Sequence, residues 1–418
     1  MEILVFLLDG IIGWCVMRVG NWFALEDFRR ARNAHWTERA RVLWPVRRGA
    51  YASQYVIPAI VGLSQPALFG IPTWVNVLGC FTCFLGAVLG SIHVDRLTNQ
   101  SLEWREWLTV NLPTRMFYFL FGATHIVALQ LMPEQVGTDM LWVTLGFFVT
   151  LVLLFGIWRL LAVQVVQSLQ LPDDRLRSIL NEVASGMAQT SPVVYRLKSR
   201  APQAHALPLQ GELWVTDGLL SLCTDLEIAA IMRHEMAHLT ETRATTALRI
   251  VGAVAFAPLI FIHPVEHWLG GGGTFLLVTP VWLIAILWQR MQKRREVRAD
   301  NVAVESETER GLYAQALCKI YEHSLTPAVN ASLGVSHLDL YDRMRSAGIE
   351  PDFARPERPH RISWGSVISW GVLCFAVILM LLSKHISESR PWFQEHLHKQ
   401  DVDTTIVAPE RKNFGASD

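Results

Sequence analysis

The 418-residue sequence predicts a mainly α-helical, polytopic membrane protein with about eight transmembrane helices and a cytoplasmic domain that contains a small β-sheet. Three observations carry that prediction. Hydrophobic residues make up 51% of the chain and charged residues only 18%. The apolar residues gather in uncharged runs close to the roughly 20 residues a helix needs to cross a bilayer core of about 30 Å. Two polar stretches, 164–244 and 291–362, lie among these runs and together are long enough for one folded domain. Lys plus Arg (37) equal Asp plus Glu (37), so the net charge offers no reason to expect nucleic acid as a partner. Six scattered cysteines form no disulfide framework, and Cys80 and Cys83 sit inside an apolar run as two small packing residues.

The N-terminal region, 1–163, holds five spans, at 2–19, 51–70, 72–94, 116–132 and 141–163. The first has no basic residue ahead of its apolar core, the reverse of a cleavable signal, and reads as a retained anchor. Pro58, Pro66 and Pro72 interrupt the next two, leaving open whether both cross. The polar domain, 164–362, is divided by a hairpin at 245–290 made of spans 245–263 and 273–290, with Gly270–Gly273 as its loop. Pro264 argues against one regular helix carrying both His263 and His267. A C-terminal helix fills 363–385, and 386–418 is a tail. The loop 17–50 is rich in arginine, and Arg290, Lys293, Arg294, Arg295 and Arg298 follow the seventh span. The short loops 133–139 and 263–273 contain no Lys or Arg. With eight crossings, the basic loops and the polar domain face the cytoplasm and both termini lie outside.

Within the polar domain, PDDRLRSILNEVASG (172–186) has the pattern of an amphipathic helix, with Pro172 in its first turn and Gly186 at its end. VVYRL (193–197) and ELWVT (212–216) read as short strands, with Gln210-Gly211 a turn beside the second.

The sharpest motif is HEMAH, 234–238. Thr224 and Glu227 form a capping-box pattern ahead of it, and the run from Glu227 to Leu239 has no Pro or Gly, so it is helical. Four residues apart on a helix, His234 and His238 share a face and can bind one metal ion. Glu235, one step around, is placed to act as base toward a water activated by that ion. Such histidine pairs also arise by chance, so a third ligand matters. EVRAD (296–300) supplies Glu296, which completes a His-His-Glu set with a fourth position open; Zn2+, one per chain, suits it. Asp300, four residues further, can fix the tautomer of a ligand imidazole. The plain alternative is a charged helix end beside a membrane span.

With ALPLQGELWVTDGLL (206–220) and SHLDLYDRM (336–344), these motifs make residues 165–350 resemble the integral-membrane zinc peptidases typified by HtpX and the CaaX prenyl proteases. The resemblance implies a gluzincin-like zinc peptidase domain. It implies that ELWVT is an exposed edge on which Leu213, Trp214, Val215 and Thr216 bind a substrate strand. It also implies that His337 and Arg343 make transition-state contacts. Gln203-Ala204 stands where the family has Asn-Ala, and Leu338 where it has Pro. The function implied is a zinc-dependent endopeptidase cleaving membrane-associated or membrane-delivered proteins at the cytoplasmic face, in keeping with membrane protein quality control. Its partners would be peptide substrates, the lipid bilayer, and a second copy or membrane protein met through the N-terminal spans. A membrane sensor metallopeptidase is disfavoured by the edge-strand and His-x5-Arg motifs, and a non-catalytic scaffold has no use for Glu235.

Overall fold

The computed structural model describes residues 2–69, 72–98, 102–160, 169–187, 191–208, 210–241, 245, 251, 255–307, 309–330 and 339–389. The chain begins with helices α1 (Glu2–Ala24), α2 (Glu26–Arg30), α3 (Trp36–Phe69) and α4 (Thr73–Thr98). A short α5 (Trp104–Glu106) passes through a π-helical turn at Trp107–Asn111 into α6 (Leu112–Leu131), followed by α7 (Thr138–Leu160). Next come β1 (Leu169–Gln170), α8 (Asp174–Gly186), β2 (Val193–Leu197), β3 (Ala204–Leu207), β4 (Glu212–Thr216), α9 (Asp217–Leu222) and α10 (Asp225–Leu239). A 3-10 turn at Ala257–Phe261 leads into the long α11 (Ile262–Glu305), and α12 (Leu312–His323), α13 (Leu340–Ser346) and α14 (Trp364–Ser389) complete the described chain.

Among the described residues, six helices are long and apolar enough to cross a membrane: Ile3–Ala24, Trp74–Leu97, Trp104–Leu131, Thr138–Gly156, Ala257–Glu305 and Trp364–Leu382. These take up six of the eight expected spans. The span expected at 51–70 falls on the second half of α3, which is not among the six, and most of 245–263 lies outside the described residues. The glycine run differs from the expected hairpin loop. Gly270 alone leaves helical geometry (φ 62°, ψ −165°), and helix continues on both sides of this kink. Pro264 falls in the first turn of α11, where its missing N–H leaves no bond unmade, so His263 and His267 do share a helix.

The chain divides into two compact units. The first comprises the described parts of 1–20, 53–90 and 367–418. Here α1 meets α4 through glycine: a Cβ on Gly13 would overlap the Cys83 carbonyl, and one on Gly86 the Gly10 carbonyl. Asn76 donates to the Gly62 carbonyl at 2.9 Å, and the Trp370 indole donates to Ser53 at 2.7 Å.

The second unit comprises 21–52 and 91–366. Its sheet runs β1-β2-β4-β3, with β2 parallel to β4 and the other pairs antiparallel. One sheet face is apolar: Val194, Leu213 and Val215 pack against α8 and α10. In α8 the buried Leu176, Ile179, Leu180 and Val183 recur at helical spacing. Asp173 caps this helix by accepting from Leu176 N at 2.9 Å, so Pro172 lies just ahead of the cap rather than in the first turn. Other helices of this unit are tied by polar contacts. Arg115 holds Asp95 with two bonds of 2.7 and 2.8 Å, and Glu106 accepts from Ser199 and from Arg200 N. Arg47 of α3 donates to the Ser324 carbonyl at the end of α12.

Candidate metal centre

Helix α10 starts where the sequence signals it. The Thr224 hydroxyl accepts from Glu227 N, the Glu227 carboxylate accepts from Thr224 N at 2.9 Å, and Lys319 of α12 adds a 2.9 Å bond to the same carboxylate. Two turns later the His234 and His238 rings are buried, with their Nε2 atoms 3.3 Å apart. Glu296, on the last turns of α11, brings Oε2 to 3.6 Å from His234 Nε2 and Oε1 to 3.7 Å from His238 Nε2. The three ligand atoms lie within 4.8 Å of one another. Zn–N bonds of about 2.0–2.1 Å at a tetrahedral angle would separate two nitrogens by about 3.3–3.4 Å.

The far sides of both rings decide which nitrogen is free. His234 Nδ1 lies 3.1 Å from Asp300 Oδ1 and 2.7 Å from the Tyr313 hydroxyl. Tyr313 itself donates to Asp300 Oδ1 at 2.9 Å, and Arg343 Nη2 donates to both Asp300 and Tyr313. His238 Nδ1 lies 3.2 Å from Glu241 Oε1, which accepts from Arg295 Nε at 2.6 Å. Each imidazole therefore keeps its proton on Nδ1, facing an acceptor, and turns the Nε2 lone pair toward its neighbour and Glu296. Two lone pairs and a carboxylate facing one another in a buried space need a cation or a proton between them. Burial works against a charged His234, but the hydrogen bonds it donates to Asp300 and Glu296 and the charge of Glu235 hold its pKa at about 9. Burial, and then the charge of His234, push His238 down. The donor set thus fits one divalent ion.

Glu235 is half-buried, and its Oε2 accepts from Ala206 N at 2.8 Å. That contact corrects the expectation for the substrate strand. Leu213, Trp214, Val215 and Thr216 belong to β4, which is paired on both sides, by β2 and by β3. Leu213 and Val215 enter the core, the Trp214 indole bonds Glu212, and the Thr216 hydroxyl accepts from Leu219 N and Gln203 N. None of the four offers an open edge. Of the two end strands of the described sheet, β1 and β3, it is β3 that meets Glu235. Thr216 N bonds the Gln203 carbonyl, so by antiparallel alternation His205 and Leu207 turn their amides toward β4, while Ala204 and Ala206 turn theirs outward. Small residues alternating with polar ones in QAHAL, just before the Gly211 turn (φ 67°), were the available signal.

Arg343 also differs from expectation. It is buried behind His234, on the Nδ1 side, because Asp300 and Tyr313 take its guanidinium. His337 lies outside the described residues. Glu241, Arg295 and Tyr313 were not anticipated. Only Glu241 carries a local signal, standing one helical turn beyond His238.

Residues 170–351 match Peptidase family M48. The chain is 28% identical over 194 residues to a protein named Protease HtpX homolog from Aquifex aeolicus (strain VF5), covering 42% of this chain and 64% of that one. It is 24% identical over 213 residues to a Protease HtpX homolog from Desulfatibacillum aliphaticivorans, covering 45% and 66%. It thus spans just under two thirds of each of these relatives. The crystal structure of S. mikatae Ste24p is similar in fold, with a TM-score of 0.50 and 14% identity, over 82% of this chain and 98% of that one.

Proposed function

We propose that the protein, whose residues 170–351 match Peptidase family M48, is a zinc-dependent endopeptidase that cleaves membrane-associated or membrane-delivered proteins at the cytoplasmic face, in a quality-control role. The observation that carries this reading is the convergence of His234, His238 and Glu296, with Glu235 beside them and the open edge of β3 within bonding reach of Glu235. The placement of basic residues around the spans supports the cytoplasmic assignment, with both termini outside.

His234, His238 and Glu296 would hold the ion, which when bound supplies Lewis acidity toward a water and a peptide carbonyl. A substrate strand would add to β3 by main-chain bonds to Ala204 and to the Ala206 carbonyl. Ala206 N–H holds the Glu235 carboxylate at that edge, oriented to take a proton from the attacking water and return it to the leaving amine. Asp300 and Glu241 hold the two imidazoles in the ligand tautomer, and Tyr313, Arg343 and Arg295 hold those carboxylates. His337 stays the candidate for stabilising the oxyanion, while Arg343 acts as a positioning residue.

The test is cleavage of an unfolded membrane protein by the purified full chain, with bound zinc measured in parallel. The expected content is about one zinc per chain. Glu235→Gln should keep the zinc and lose cleavage by at least about 100-fold. Normal cleavage by that variant would remove the hydrolytic reading.

A further inference from the structure

Helix α11 does two things along one continuous stretch, and its outward face has no role in the metal centre. Leu283 and Leu287 on this face are 49% and 58% exposed. Arg290, Lys293 and Arg294 follow, all exposed, and with Val297 they line a surface recess of about 360 Å³. At about 100° per residue, positions 283, 287, 290, 294 and 297 fall within roughly 40° of one line down the helix, with Lys293 on its flank. Glu296 lies about 140° around from that line, facing the histidines. The outward face therefore reads apolar and then cationic, the order in which a phospholipid presents its chains and its phosphate. Among the described residues, Arg290, Lys293 and Arg294 form no ion pair with a carboxylate. Arg295, within the same turn, points inward to Glu241. Arg298 is taken up by Thr240.

We infer that this face is a binding site for an anionic phospholipid of the bilayer. Its chains would lie along Leu283 and Leu287, and its phosphate would be held by Arg290, Lys293 and Arg294. A zwitterionic headgroup brings its own cation to the same place and gains far less. Because the same two turns carry Glu296, a lipid held here fixes the depth at which the third ligand emerges from the bilayer. The inference needs only the helix and the membrane, so it stands apart from the peptidase reading.

The test uses the full chain, delipidated in detergent and titrated with phosphatidylglycerol or phosphatidylcholine, with bound lipid counted by native mass spectrometry. Phosphatidylglycerol should bind in clear excess over phosphatidylcholine. That excess should fall about fivefold for each charge removed, through Arg294→Gln to the triple variant R290Q/K293Q/R294Q. Bound zinc, measured in the same samples, should stay unchanged and so report that the helix is intact. Equal binding of the two lipids, or an undiminished excess in the triple variant, would overturn the site. Displacement of phosphatidylglycerol by inorganic phosphate alone would overturn the lipid as occupant and assign the recess to a soluble anion.

Discussion

Between α1 and α4 the contacts depend on what the side chains lack. Gly13, Gly86 and Gly90 let backbone meet backbone, and a Cβ on Gly90 would come within 2.9 Å of Met17 Cβ and the Trp14 carbonyl. Between α10, α11 and α12 the contacts are made by ionisable groups, each buried and each holding the next, from Arg343 through Asp300 to His234 and from Arg295 through Glu241 to His238. The difference follows from the surroundings. Lipid chains are as apolar as leucine, so helices in a bilayer associate by close packing, which small residues permit. In the metal centre, a buried charge is costly unless every partner is in place, so residue identity is fixed at each position.

That contrast can be broken at either region. The largest effect is expected at the metal centre. Asp300→Asn removes the carboxylate from His234 and leaves Arg343 without its charge partner, and should weaken zinc affinity about 10–100-fold in a chelator competition. Near wild-type affinity would mean that the far side of His234 is unimportant. The bundle comes next. Gly86→Leu must push α4 away from the Gly10 carbonyl and should cost about 1–3 kcal/mol, read as a lower melting temperature in detergent. Zinc content measured before melting should stay unchanged, and a loss of zinc in that variant would contradict a division of labour between the regions. The smallest effect is at the cap of α10. Burial acts against the Glu227 carboxylate, but Lys319 and Thr224 outweigh it and hold its pKa below the usual value. Its contribution is therefore complete above the unfolded carboxylate pKa of about 4.3 and is lost as pH falls through the lower folded value. Glu227→Ala should cost about 1 kcal/mol at pH 7 and flatten the acid limb of a stability profile. Lys319 is 43% exposed, so most of this cost comes from the cap rather than the ion pair.

The convergence of His234, His238 and Glu296 was legible because its information is local. HEMAH fixes two ligands by helical spacing, the capping box marks where that helix begins, and EVRAD puts Glu296 and Asp300 one turn apart on another helix. Beyond Asp300, what supports these side chains was not legible. Tyr313 reaches His234 from α12 and Arg343 reaches Tyr313 from α13, and no spacing rule links position 313 to position 234. The edge strand was misread for a related reason. ELWVT has the stronger β-pattern because it is the central strand, buried and paired on both sides, whereas QAHAL is short and weakly apolar because it is the edge. The glycines of α1 and α4 look unremarkable in sequence, since their meaning depends on a partner more than sixty residues away. Gly270–Gly273 looked like a loop, yet only Gly270 takes a φ that other residues avoid.

The central claim is that His234, His238 and Glu296 hold one ion together. Zinc K-edge absorption spectroscopy on the purified full chain tests it most directly. The account predicts only nitrogen and oxygen neighbours at about 2.0–2.2 Å, with imidazole scattering from two histidines that drops to one in His238→Ala. A sulfur shell near 2.3 Å, or a spectrum unchanged by His238→Ala, would contradict it.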